Sequence, residues 1–376
     1  MDTGLVQGAT RVADIIWNMT LVCPWDCAMC CVDAVHVTGQ DGAVRVAHAG
    51  LKQIAVLERD TGGGSIFDRA LRWRQERGEE LTLEQKLRVL DHLVGFRIKL
   101  DISGGDPLSV SENLIVLESA AARFGRKAIT VTATGAGLSG HRPEDVAALI
   151  GEYNFTYDSP STDANANRPD AYAAGNLRKA AALAAAGIPT RAECPLSTEN
   201  VSERELRRLY EELHTAGIQK LHVMRLFPSG RGARTAETIP TREQYQRAVA
   251  VLEDAMAEFG SPKVTVQCSL RQLVATDLTI NPCDAVRESF GLMADGRLLA
   301  SPWAIDERGQ PLDDAWLLGN LADHPLEDIL AGPKAEFFRR HVDDNFGHCK
   351  IFAYTASDEP NPLSRIFDTT DPLYVA

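Results

Sequence analysis

The sequence has no Lys/Arg-rich run. Its 39 Lys and Arg residues stand against 52 Asp and Glu, for a net charge of −13 and a pI near 5.2. A surface of that sign repels a phosphate backbone, so a nucleic-acid duplex is excluded as the expected partner. Long apolar runs are missing too. The longest stretch of small apolar residues, Ala180 to Ile188, is too short and too alanine-rich for a bilayer span of ~20 residues, so no membrane association is expected. The start, Met1-Asp2-Thr3-Gly4, lacks a basic segment followed by an apolar one, so no secretion signal is expected. Internal repeats, apart from a strand–helix period, and low-complexity segments are also absent.

What is present suits a globular chain of one large or two ordinary domains: 376 residues, 44% hydrophobic and 24% charged. Four of the eight cysteines fall between positions 23 and 31. Clustered thiols without a secretion signal point to a reducing cytoplasm and to metal or catalytic roles rather than disulfides. Cys23, Cys27 and Cys30 have the spacing C-x3-C-x2-C, directly after the apolar strand Ile15 to Val22. A compact loop with three thiolates can grip three corners of an iron–sulfur cluster and leave one iron open. The alternative is a structural zinc site in a non-catalytic scaffold. Zinc knuckles pair two C-x2-4-C units, and Cys194, Cys268, Cys283 and Cys349 each stand alone. Cys31 is either a fourth thiol near the cluster or a small buried apolar residue.

The rest of the chain alternates. Thr82-Leu83-Glu84-Gln85 and Ser202-Glu203-Arg204-Glu205 are capping boxes that open helices, as is Thr241-Arg242-Glu243-Gln244. Strands are expected at 96–103, 128–134, 155–158, 189–194 and 220–227, with helices between them, and one more strand at 263–267. With the opening strand this makes six strand-then-helix units, hence an α/β fold with a parallel sheet and helices outside. Residues 32–81 read as an irregular insertion of short helices and loops, perched over the site. Composition shifts at Pro228-Ser229-Gly230-Arg231-Gly232, which suggests domains of 1–235 and 236–376.

The cysteine loop, with Asn18-Met19-Thr20 before it, resembles the radical S-adenosylmethionine (SAM) superfamily. Met29 departs from the aromatic residue usual before the last cysteine. The resemblance implies a partial (β/α)6 barrel of TIM type, open on one side, whose Cys23, Cys27 and Cys30 hold a [4Fe–4S] cluster. The open iron would chelate SAM, which is cleaved to a deoxyadenosyl radical that abstracts a substrate hydrogen. A flavodoxin- or ferredoxin-type electron donor is implied as partner. Ser103-Gly104-Gly105-Asp106 closely matches the family's glycine-glycine-glutamate motif, which holds the SAM amino group, with aspartate in place of glutamate. By the same resemblance Thr156 and Asp158 line the SAM site, Arg191 or Arg168 meets the SAM carboxylate, and Leu226 lies where backbone groups contact adenine.

Residues 290–303 look like a β-hairpin turning at Asp295-Gly296. With Leu318-Gly319-Asn320-Leu321 they resemble the C-terminal SPASM/twitch extension of the same superfamily, a smaller α+β domain with an auxiliary cluster. Cys283 and Gly296 fit its spacing, but Ser301 replaces the second cysteine and the later C-x2-C pair is missing. Cys268, Cys283 and Cys349 are the thiols that could supply an auxiliary cluster. Without one, the expected outcome is redox-neutral epimerisation of a carbinol carbon, with Cys268, or Cys194, returning hydrogen to the opposite face. With one, the alternatives are an alcohol dehydrogenase or a peptide maturase. Only residues 1–14 precede the first strand, so a peptide-recognition domain is not expected there. The expected substrate is a small polar natural product such as a sugar or aminoglycoside, and the acidic charge suits a cationic amino sugar.

Overall fold

The computed structural model describes residues 11–58, 63–160, 167–275 and 278–375. Among the described residues, fourteen strands are distributed over two sheets. In chain order they are β1 (Val12–Thr20), β2 (Val22–Cys23), β3 (Val35–Gln40), β4 (Ala43–His48), β5 (Gln53–Leu57), β6 (Arg97–Gly104) and β7 (Ile129–Thr132). Then follow β8 (Glu152–Thr156), β9 (Thr190–Leu196), β10 (Lys220–Arg225), β11 (Lys263–Val266), β12 (Ser289–Leu292), β13 (Arg297–Leu299) and β14 (Leu317–Asn320). The large sheet has the order β11-β10-β9-β8-β7-β6-β1-β12-β13-β14, with β11 and β14 at its edges.

Every pairing from β11 to β12 is parallel, and only the hairpin strands β13 and β14 run antiparallel. Parallel neighbours need crossovers, and the helices 112–124, 143–149, 172–185, 203–215 and 242–259 supply them. Helix starts follow the local signals. Thr82 accepts from Gln85 N while Gln85 Oε1 accepts from Thr82 N at 2.9 Å, and Thr241 repeats this with Gln244. Each such cap is worth about 1 kcal/mol.

The strands alternate between two faces. In β1, Ala13, Ile15, Trp17 and Met19 are fully buried in the layer shared with the helices. Leu100 and Ile102 of β6, Tyr153 and Phe155 of β8 and Ala192, Cys194 and Leu196 of β9 join that layer. The residues between them face the other way, and that face is polar: Asp101, Ser103, Thr132, Thr156, Arg191, Glu193 and His222.

Two elements differ from expectation. Residues 32–81 are not irregular: β3, β4 and β5 form an antiparallel meander that pairs through β2, and the helix Ile66–Glu76 packs beside it. Val37 pairs with Val46 across the hairpin that turns at Asp41-Gly42, and with Val35 and Val44 these side chains bury against Ala70 and Leu71 in a small core of their own. Part of the glycine run expected there, Gly62, lies outside the described residues. The tail beyond residue 267, which the sequence suggests is irregular and cysteine-sprinkled, is regular too, with helices 326–331, 333–341, 350–356 and 362–366 after the hairpin. Among the described residues no helix is long and apolar enough to cross a membrane.

Candidate functional site

The cysteine loop is held from three sides. Behind it, Val35 N donates to Leu21 O at 2.7 Å, and Glu80 accepts from Thr20 Oγ1 at 2.7 Å and from Leu21 N at 2.9 Å. Beside it, Ala28 N donates to Asn167 O at 3.0 Å. Above it lies the segment after β10: Arg231 N donates to Cys30 O at 2.8 Å, and Ser229 Oγ donates to Cys31 O at 3.0 Å. Arg231 also donates through its guanidinium to Asp26 at 3.1 Å and to Ala34 O at 3.3 Å. The composition shift at Pro228 to Gly232 is thus a clamp on the loop.

Cys23, Cys27 and Cys30 all line one cavity of about 410 Å3. Burial pushes the Cys23 thiol well up, and Asp106, Cys30 and Cys27 push it further. Burial raises Cys27 as well, against the pull of the Arg168 guanidinium. Among the described residues no three His, Cys, Asp or Glu side chains converge closely enough to hold a single metal ion. A single zinc draws each sulfur to about 2.3 Å of one point. A [4Fe–4S] cluster takes each thiolate at a different corner iron, and three thiols of one loop on one cavity are a donor set for three corners.

The Ser103-Gly104-Gly105-Asp106 segment ends β6 against this loop. Gly105 N donates to Thr20 O at 2.7 Å and Asp106 N to Val22 O at 2.9 Å. A Cβ on Gly104, at φ +117°, would lie 2.1 Å from Thr20 O, and one on Gly105 would lie 2.2 Å from Val22 O. The glycines are therefore required by the close approach of the cysteine strand, and both line the cavity with Ser103. Asp106 does not fit its expected place. Its carboxylate is fully buried, accepts from Leu108 N at 3.1 Å, Thr134 Oγ1 at 2.6 Å and Gly137 N at 2.9 Å, and is not among the cavity's lining. It caps the turn at Pro107–Ser109 and ties it to the next loop, so an ammonium has no free carboxylate to meet there.

Other expected residues separate in the same way. Thr156 and Leu226 line the cavity. Asp158 lies behind it, accepting two bonds from Arg168 at 2.9 and 2.6 Å, and Arg168 faces the cysteine loop beside Cys27. Arg191 lies deep on β9, with Glu193 at 3.0 Å, Glu152 at 3.5 Å and Asp101 at 4.0 Å. It is already met by carboxylates of the chain and not offered singly to one from a ligand. Cys194 points into the helix layer, fully buried, and is not part of the cavity wall, which removes it as a hydrogen donor. Cys31 does line the cavity, next to Cys30.

Cys268, Cys283 and Cys349 come from three segments and line the same cavity. Burial raises the Cys268 thiol, and Cys283 and Cys349 add to that rise, so the three sulfurs lie within one another's field. Charges of both signs surround them: Lys350 and Asp284 beside Cys283, Asp371 and Arg225 beside Cys349, and Asp284 and Arg271 beside Cys268.

The chain's last segment organises this triad. Asp371 is fully buried and accepts from Arg225 at 2.8 and 3.0 Å, from Cys349 N at 2.9 Å and from Leu373 N at 3.0 Å. Tyr374 Oη donates to Ser269 O at 2.7 Å, one residue past Cys268. The sequence reading missed this anchor, and nothing local in the sequence announces it. It also missed Asp101, Glu193 and His222 on the cavity floor. Their signal was the strand alternation that puts Asp101 on the face of Ser103 and Glu193 on the face of Arg191.

No family model matches the chain, and no curated protein does. Solved structures do. A crystal structure of SuiB from Streptococcus suis superposes with a TM-score of 0.59 at 11% identity, over 88% of this chain and 68% of that one. SuiB bound to S-adenosylmethionine gives 0.58 at 12%, over 94% and 76%. The anSMEcpe protein with AdoMet and the Cp18Cys peptide gives 0.53 at 13%, over 87% and 82%. The likeness shows the fold: this chain has the mixed α/β architecture of these proteins, with its large parallel sheet, as the resemblance in the cysteine loop implied.

Proposed function

We propose that this chain is a radical SAM enzyme that carries two iron–sulfur sites on one cavity and oxidises a carbinol of a small polar substrate. The observation that carries this is the convergence of two cysteine triads, 23/27/30 and 268/283/349, on a single cavity of about 410 Å3. That volume lies within the ~300–1,000 Å3 of small-ligand sites.

Cys23, Cys27 and Cys30 would hold a [4Fe–4S] cluster, and Cys268, Cys283 and Cys349 would hold the second. When bound, the first supplies an open iron for SAM and the electron for its reductive cleavage, and the second supplies an electron acceptor. The chain's own residues do the rest. Ser103, Gly104, Gly105, Thr156 and Leu226 form the wall between the cysteine loop and the floor, where SAM is expected to lie. Arg168, backed by Asp158, sets a positive charge beside Cys27. Trp25 stacks edge-on against Tyr172 at 5.5 Å and covers one side. A flavodoxin- or ferredoxin-type protein is the proposed electron donor.

Epimerisation by Cys268 is the second reading, favoured by the exposure of that cysteine to the cavity. The two readings compete for one sulfur: a thiolate bound to iron has no S–H to give. A peptide substrate is the alternative raised by the anSMEcpe structure, which holds the Cp18Cys peptide. Turnover in deuterated water separates the outcomes. Oxidation gives a product two hydrogens lighter, whereas an epimerised product carries one solvent deuterium, and that second result would overturn the oxidative reading.

A further inference from the structure

Five Lys and Arg side chains are buried among the described residues: Arg74, Lys86, Arg225, Arg231 and Lys350. Four of them meet a carboxylate. Arg74 lies 2.7 Å from Glu80, Lys86 2.7 Å from Glu112, Arg225 2.8 Å from Asp371 and Arg231 3.1 Å from Asp26. Lys350 is the exception. It is only 2% exposed, yet its ammonium forms no ion pair with a carboxylate of the described residues. An unpaired buried ammonium costs several kcal/mol unless an anion or a set of dipoles offsets it.

The partners that hold Lys350 are neutral. Nζ donates to Val342 O at 2.7 Å and to Asn345 Oδ1, and the Phe367 ring lies 5.5 Å away. Asn345 is itself fixed, donating from Nδ2 to Ile366 O at 3.1 Å and to Asp368 O at 2.8 Å. These dipoles set the position of the ammonium without cancelling its charge. The same anchor reaches the second thiol triad. Val342 O also accepts from Asn281 Nδ2 at 2.8 Å, and Asn281 Oδ1 accepts from Cys283 N at 3.2 Å. Lys350 directly follows Cys349, and Cys283, Cys349 and Lys350 line one cavity. The other charges around the triad have opposites: Arg225 pairs with Asp371, Arg287 lies 3.1 Å from Asp343, and Arg271 and Asp284 are both exposed and of opposite sign.

We propose that Lys350 is a positioning residue for the second iron–sulfur site: its buried ammonium is the counter-charge of the Cys268, Cys283 and Cys349 thiolates and raises the reduction potential of a cluster held by them. Adding an electron beside a fixed positive charge is favourable, and burial limits the screening of that charge by water. The residue would thereby fit the second site to accept an electron. This deepens the functional reading above and rests on it for the presence of the second cluster.

The test is a redox titration, followed by electron paramagnetic resonance, of the anaerobically reconstituted chain and of its Lys350→Met, Lys350→Gln and Lys350→Arg forms. Iron is counted on every sample, thermal unfolding checks each fold, and a Cys268→Ala form identifies the signal of the second cluster. Met keeps the length of the stem without the charge, Gln keeps a donor without the charge, and Arg keeps the charge. Both neutral forms are expected to weaken electron uptake by the second cluster at least tenfold, or 59 mV for one electron. The first cluster should not shift, and the Arg form should stay close to the parent. Folded neutral forms that lose the second site's iron, while the Arg form keeps it, support the same role. Unshifted neutral forms, an Arg form that shifts as far as they do, an equal shift of both clusters, or loss of the second site's iron from all three variants overturns the assignment. About eight irons in the parent with an unshifted potential removes the role of Lys350 alone. About four irons in the parent removes the second cluster, and this proposal with it.

Discussion

Replacing Asp371 by Ala removes one carboxylate and should disturb both the fold and the second thiol triad. The Arg225 guanidinium it pairs with is only 2% exposed, and Nε of that arginine already has no partner. Breaking a buried ion pair from one side costs about 3–5 kcal/mol, because the remaining charge is left in a low-dielectric site. The Cys349 and Leu373 N–H groups lose their acceptor as well, at about 1–3 kcal/mol each when buried, though these losses overlap and do not add in full. Stacking of Arg225 on the Phe352 ring, 3.4 Å from its centroid, persists and returns part of the cost. The expected destabilisation is about 4 kcal/mol, read as a shift of the urea midpoint at constant slope. Since Cys349 N donates to Asp371 and Tyr374 holds the helix that starts at Cys268, the variant should also bind about half the iron of the parent after anaerobic reconstitution. The reasoning is refuted by an Asp371→Ala protein that unfolds within about 1 kcal/mol of the parent and retains all its iron, since both effects come from the same contacts.

Other substitutions probe other links. Gly104→Ala forces a Cβ to within 2.1 Å of Thr20 O at a backbone angle that only glycine adopts freely, so a loss of about 3 kcal/mol or more is expected in thermal unfolding; an unchanged midpoint would mean that β1 and β6 do not approach as described. Cys268→Ala should leave SAM cleavage intact while removing the second site's iron, about four atoms per chain for a [4Fe–4S] cluster, and iron counting at parental level would dismiss that triad. Asp101→Asn tests the floor by pH. Burial and then Glu193 raise the folded-state carboxyl to about 7, above its ordinary 3.8, so the native protein binds more protons than the unfolded chain in between. The parent should therefore lose stability relative to Asp101→Asn as pH rises from about 4 to 7, with the difference constant above that. Parallel stability curves for the two proteins across that range contradict the burial argument.

The features the sequence disclosed were those written locally. The C-x3-C-x2-C spacing, the capping boxes at Thr82 and Thr241, and the period of two in the parallel strands each depend on neighbours a few residues away. The insertion was misread because glycines at 39, 42 and 62–64 suggested loops, while Val35, Val37, Val44 and Val46 carried a period of two around the Asp41-Gly42 turn. Asp106 was misread because a carboxylate after two glycines looks the same whether it meets a ligand or caps the turn before Pro107 and Leu108. The meeting of Cys268, Cys283 and Cys349 was suggested by number alone, since their spacing is irregular. Their approach depends on Asp371 and Tyr374, which sit 146 and 105 residues from the partners they bind on β10 and at Ser269. Strand alternation already separated Cys194 from the cavity, because it shares a face with Ala192 and Leu196 and not with Arg191 and Glu193.

The central claim is most directly tested by anaerobic reconstitution of the parent and of a Cys23→Ala, Cys27→Ala, Cys30→Ala triple variant, followed by iron counting and by assay of 5′-deoxyadenosine under a strong reductant with SAM. The parent should hold about eight irons per chain, two [4Fe–4S] clusters, and form deoxyadenosine. The variant should hold about four and form none. A colourless, iron-free parent, or a variant that still cleaves SAM, contradicts the account.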